Sequence, residues 1–176
     1  MSSAGVRLLA IFLVAQPLGA WAHGPTPRRM TGEIDIHASP EKVWALAGNF
    51  ADMAAWHPLV TACSADKGNA VDSQRDVKLA GGVELMDSMD EYDAAHMSYS
   101  YRLMNSPGPG FAVSFYSATL TVSRAPDGSH VSWTGNFYRA DTHNVPAAGQ
   151  DDEAAEHAMR EFLSAGLQGL KRAAER

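Results

Sequence analysis

Apolar residues recur along this chain with two periods, and the change of period divides it into elements. Met30 to His37 alternates, with Ile34 and Ile36 on one face and Glu33 and Asp35 on the other, which predicts a strand. Ser39 then offers an N-cap, Pro40 suits the first helical position, and Glu41 faces the positive end of the helix dipole. Val43, Leu46, Ala47 and Phe50 follow at helical spacing and Gly48-Asn49 supplies a stop, so a short helix is expected. A second short helix or turn over Asp52 to Trp56 must end before Pro58.

From there to Ala140 the period is two. Strands are expected over Leu59 to Ala65, Ser73 to Leu79, Val83 to Tyr92, Met97 to Leu103, Ala112 to Arg124 and His130 to Ala140. Gly81-Gly82 and Pro126-Asp127-Gly128 mark hairpin turns, and Asn105 to Gly110 reads as a loop. Arg75, Val77 and Leu79 share a face. Between Val83 and Tyr92 neither face is clean, because Asp87 and Glu91 fall in line with Leu85 and Met89. After the loop Asp141 to Gln150 the period returns to 3.6. Asp151, Asp152 and Glu153 open a helix whose apolar stripe is Ala155, Met159, Phe162, Leu163, Gly166, Leu167 and Leu170, and Lys171, Arg172 and Arg176 close it in accord with the dipole. Gly166 and Gly169 inside it imply close approach to the sheet or room for a ligand. The order is that of an α+β domain in which a curved antiparallel sheet covers one long C-terminal helix.

Ahead of this domain, Arg7, the apolar run Leu8 to Leu18 and the small-residue site Ala20-Trp21-Ala22 predict a cleavable export signal over residues 1–22. Cleavage after Ala22 leaves His23 at the terminus of a periplasmic protein, an extended lead-in over residues 23–29, and no membrane span. Loss of Arg7, the leader's one charged residue, takes the formal net charge from −6 to −7, which argues against nucleic acid and anionic lipid as partners. Cys63 is the single cysteine, so no internal disulfide can form and a structural thiol is expected. The seven histidines show no metal-ligand spacing; His23, with its amine and ring nitrogen together, is the one position with copper-binding chemistry, and no metal site is assigned.

Nucleophile elbow, Walker loop, metalloprotease and dinucleotide motifs are all missing from the sequence, so no catalytic residue is assigned. Asp87 and Glu91 admit acid/base work or plain surface pairing. His57 admits contact with a ligand or a bond to a nearby carbonyl that fixes its turn. Trp44, Trp56, Tyr99, Tyr101, Trp133 and Tyr138 are the aromatic residues that can pack a core or stack on a ligand.

Ser39-Pro40 with Val43-Trp44, then Phe50, then Trp56-His57-Pro58, over a chain patterned as above, resembles the SRPBCC superfamily of START domains, birch-pollen-allergen-like and polyketide cyclase/dehydrase-like proteins. The resemblance implies a helix-grip fold with an apolar cavity between sheet and helix. Its lining would come from Trp56, His57, Asp87, Met89, Glu91, Tyr99, Tyr101, Trp133, Tyr138, Met159 and Phe162. Within that superfamily the export signal, His23-Gly24-Pro25-Thr26-Pro27, Trp56-His57-Pro58, Tyr99-Ser100-Tyr101-Arg102 and Phe137-Tyr138-Arg139-Ala140-Asp141 resemble the MxaD type. That resemblance implies a periplasmic accessory protein, leaning away from enzyme, that assists electron transfer from methanol dehydrogenase to its cytochrome c acceptor. It implies no cofactor: the C-x-x-C-H haem motif is missing from the sequence. Asp151, Asp152 and Glu153 would be the docking face. The rival roles within the superfamily are a carrier of an apolar small molecule or lipid, and a cyclase/dehydratase-like enzyme.

Overall fold

The computed structural model describes residues 24–108 and 110–176; the expected leader, its cleavage site and His23 lie outside the described residues. The elements are β1 (Arg28–Ile36), α1 (Pro40–Ala47), a 3-10 helix at Met53–Ala55, β2 (Val60–Ala65), β3 (Gln74–Leu79), β4 (Glu84–Asp93), β5 (Ser98–Leu103), β6 (Val113–Ala125), β7 (Gly128–Arg139) and α2 (Asp152–Ala174). The seven strands form one antiparallel sheet in the order β1-β7-β6-β5-β4-β3-β2. Strands β2 to β7 follow one another as a meander, and β1 closes onto β7, so β1 and β2 are the two edges. This is the helix-grip fold, with α2 lying against the inner face of the curved sheet.

Helix α1 starts as its sequence requires. Ser39 Oγ accepts the Lys42 amide at 3.3 Å and Pro40 occupies the first position. It ends one turn earlier than the apolar stripe reaches: the Gly48 amide bonds the Trp44 carbonyl at 2.7 Å, and Phe50 lies beyond the helix, fully buried, with its amide on Asn69 Oδ1 at 2.9 Å. The expected short helix or turn after Phe50 is a 3-10 turn, and Arg28 and Arg29, assigned to the lead-in, belong to β1 opposite Phe137 and Asn136.

Curvature comes from three register shifts, after Val60, after Met89 and after Val113, each adding a residue to one strand. The inner face becomes shallow where the helix lies. Tyr101, Ala118 and Gly135 are neighbours across β5, β6 and β7, and a Cβ on Gly135 would meet Met159 Cε at 2.8 Å. The two small residues make the hollow that admits the Met159 side chain. The β6–β7 hairpin turns on Pro126-Asp127, and Gly128 follows at φ 140° with the backbone of Ile36 and Ala38 crowded against it, so that position takes no side chain. Among the described residues no helix is long and apolar enough to cross a membrane.

Candidate functional site

A buried polar cluster sits on the inner face, on the strands beyond those that α2 covers. The register puts Arg75 on β3 opposite Asp87 on β4, and both side chains are 1% exposed. Arg75 Nη2 donates to Asp87 Oδ2 at 2.6 Å and Nε donates to the same oxygen at 3.1 Å. The Tyr116 hydroxyl, from β6, donates to Asp87 Oδ1. The guanidinium lies over the Phe50 ring at 4.0 Å and the Tyr101 ring at 4.6 Å, and Nη1 reaches the Phe50 carbonyl at 3.5 Å. Burial pushes the Asp87 carboxyl above the usual carboxylate range, with Arg75 and the Tyr116 hydroxyl pulling the other way. Burial works against the Arg75 cation, but the Asp87 carboxylate together with the neighbouring Tyr99 and Tyr101 phenols more than offsets it, so Arg75 stays charged. The Tyr101 and Tyr116 phenols are pushed up by burial and stay neutral.

His57 sits between the 3-10 turn and α2. Its Nε2 lies 3.1 Å from the Phe162 carbonyl, and its Nδ1 accepts the Leu59 amide at 3.2 Å. A carbonyl can only accept and an amide can only donate, so the ring is neutral with its proton on Nε2. Burial holds its pKa down to about 4, against the pull of the Phe162 carbonyl and aided by the Arg75 charge. Of its two readings, the geometry gives the carbonyl bond. Gly166 of α2 makes room for this ring, since a Cβ there would meet Trp133 Cζ3 at 2.6 Å and His57 Cδ2 at 2.7 Å.

The aromatic residues expected to line a cavity fill the space between sheet and helix. Phe162 stacks on His57 at 4.4 Å and on Trp133 at 5.4 Å between centroids; Trp56 meets Trp133 at 5.7 Å; Trp133 Nε1 donates to the Tyr101 hydroxyl at 3.1 Å. Met89, Tyr99 and Met159 are buried in the same core. Two donors in it, Trp56 Nε1 and the Tyr99 hydroxyl, are buried without a hydrogen-bond partner among the described residues.

Two expected lining residues are elsewhere. The register shift after Met89 makes Asp90 the extra residue, which turns Glu91 outward, exposed, and Tyr92 inward instead. Tyr138 is half-buried on the outer face, 6.4 Å from Phe115. Asp87, in contrast, is no surface carboxylate. The acidic opening of α2 is largely engaged: Asp151 caps the helix through the Ala154 amide at 2.9 Å, and Asp152 pairs with Arg139 at 3.2 Å and Arg28 at 3.4 Å. Only Glu153 of the three stands exposed. Cys63 is half-buried with its thiol pushed up by burial, and its Sγ points to the Phe50 carbonyl at 3.8 Å.

A family profile described as polyketide cyclase / dehydrase and lipid transport matches residues 27–175. The chain belongs to this family. It is thereby a member of the SRPBCC superfamily. An uncharacterised protein from Bacillus thuringiensis is 26% identical, with 85% of this chain and 100% of that one covered at a TM-score of 0.69. Protein XoxI from Bacillus cereus is 25% identical, covering 82% and 94% at 0.68. A norcoclaurine synthase from Thalictrum flavum, 13% identical over 85% of this chain and 95% of that one, shares the fold at 0.60. No curated protein matches the chain.

Three residues of the buried polar cluster, Arg75, Tyr116 and Phe50, were not expected at a site from the sequence. Arg75 carried a signal: it continues the apolar face of Val77 and Leu79, as Asp87 continues that of Leu85 and Met89, on two strands joined by Gly81-Gly82.

Proposed function

We propose that this protein is exported and works by docking to other proteins, as an accessory that assists electron transfer from methanol dehydrogenase to its cytochrome c acceptor. The observation that carries this reading is the state of the interior acids and bases. Both ring nitrogens of His57 are taken by backbone groups, and Asp87 is buried beneath Arg75 and Tyr116, so neither is presented to a substrate as an acid or base. The MxaD resemblance supplies the partners, and a net charge of −7 after loss of the leader supports steered association with a basic surface. Glu153 is the docking-face acid free to meet a partner.

Adding the protein to methanol dehydrogenase and its cytochrome tests it. The rate of cytochrome reduction rises at low ionic strength, and the gain shrinks as the Debye length falls from about 30 Å at ~0.01 M to about 8 Å at ~0.15 M. Glu153→Lys diminishes the gain while leaving the fold intact. An unchanged rate at every salt concentration refutes the role.

The family description favours a second reading, a carrier or converter of an apolar small molecule held inside the grip. What supports it is the pair of unpartnered buried donors, Trp56 Nε1 and the Tyr99 hydroxyl, which a ligand carbonyl would satisfy. Native mass spectrometry of protein from its own compartment separates the two: a stoichiometric apolar adduct favours the carrier.

A further inference from the structure

The inner face of β1 is less well covered than that of the strand beside it. On β7, Val131, Trp133 and Phe137 are fully buried, whereas Met30, Gly32 and Ile34 on β1 remain half-exposed. They border an open groove of about 310 Å³ against α2, floored by Leu163 and Leu167 and flanked by Arg160 and Gln168. Gly32 offers no side chain to fill it, and a Cβ there would meet Leu167 Cδ1 at 2.8 Å. A nine-residue edge strand with half-wet apolar side chains is a surface that proteins usually blunt or pair.

β1 is complementary to its own reverse. An antiparallel partner keeps apolar side chains on the inner face only when like parity faces like. With Gly32 at the centre, Met30 meets Ile34 of the second copy and Ile34 meets Met30, while on the outer face Arg29 meets Asp35 and Asp35 meets Arg29. Opposite charges and apolar pairs directly across a ladder are the stabilising cross-strand combinations. Arg29 and Asp35 are both exposed, and among the described residues Arg29 has no ion-pair partner; Asp35 holds His130 at 2.8 Å. Lys171 Nζ donates to the Asp35 carbonyl at 2.7 Å, which leaves that oxygen a second lone pair for an amide of the other copy.

We propose that β1 is a self-association strand: two copies pair antiparallel about a two-fold axis at Gly32, joining their seven-stranded sheets into one and closing the Met30–Ile34 groove from both sides. The interface is isologous, so each mismatch is felt twice.

Sedimentation velocity over a concentration series tests this with three variants. Wild-type protein forms a dimer. Arg29→Asp and Asp35→Arg each weaken it by about tenfold or more, and the double variant Arg29→Asp/Asp35→Arg, which restores opposite charges in reversed sense, recovers the wild-type constant within about threefold. Amide exchange gives an independent readout, slowing along β1 as protein concentration rises. A monomer throughout the series overturns the proposal, as does a dimer that the single variants leave unchanged. The latter would place the contact elsewhere, for instance on the exposed Met86, Met104 and Phe115 of the outer face.

Discussion

Arg75 and Asp87 face each other across β3 and β4 as a buried ion pair, 2.6 Å apart, in the middle of an otherwise apolar and aromatic core. Such a pair gains little over a hydrophobic pair of the same volume, because both charges have been taken out of water. Its members depend on each other. Every favourable partner of the Asp87 carboxylate is a side chain, Arg75 and Tyr116, and none can be replaced by solvent.

Removing one partner therefore costs far more than removing both. Arg75→Met leaves a buried carboxylate and is expected to lower unfolding free energy by about 3–5 kcal/mol. Arg75→Met/Asp87→Leu is expected to be more stable than Arg75→Met alone, despite leaving the Tyr116 hydroxyl without its acceptor. Urea denaturation of the three proteins checks the order; a double variant less stable than the single would mean that Asp87 is held favourably without Arg75 and does not depend on it.

His57 sets a pH dependence. Its pKa is about 4 in the folded chain against 6.5 for the ordinary group, so the unfolded chain binds the extra proton between those values. Stability is fully present above about pH 6.5 and is lost as pH falls toward about 4. The full difference amounts to about 3 kcal/mol. Asp87, whose carboxyl is raised, acts in the opposite sense, so the comparison must be with His57→Gln measured over the same range. The gap between the two stability curves should narrow steadily from pH 7 to pH 4; parallel curves would show that the ring is not held neutral.

Element order and the two hairpins were legible in the sequence because each rests on local pattern: the cap at Ser39, the glycine turns, and the change of period. The helix-grip fold came through the SRPBCC resemblance, and the β1–β7 pairing had no local signal. Legibility ended where one residue changed a register. The extra residue at Asp90 cannot be seen in an alternation that was already mixed, yet it decides that Glu91 faces solvent while Asp87 does not. Asp87 itself was read by its type, as a surface carboxylate or a catalyst, because its partner Arg75 lies twelve residues away and only the β3–β4 register joins them. The helix-opening acids show the same limit. Asp152 looks free in sequence, but its two cations are Arg28 on β1, far upstream, and Arg139 at the end of β7, and only the fold brings Arg28 to it.

Gly166 and Gly169 were legible as a question, close approach or room for a ligand, and the structure resolves it as close approach. Gly169 lies under the backbone of the Trp56-His57-Pro58 turn, where a Cβ would collide with the Trp56 carbonyl oxygen and lie 2.7 Å from Pro58 Cδ. A backbone oxygen cannot swing aside as a long side chain can. Gly169→Ala therefore sets two effects against each other. The helix gains about 1 kcal/mol from propensity, while overpacking against the turn costs about 1–3 kcal/mol and displaces the segment that carries His57. The cost is expected to win, with Tm falling and the Leu59 amide, bonded to His57 Nδ1, exchanging faster. Ser164→Ala, on the exposed side of the same helix, supplies the control: it carries a helix gain with no collision and should raise Tm slightly. If both substitutions raise Tm, α2 and the turn stand farther apart than this packing requires.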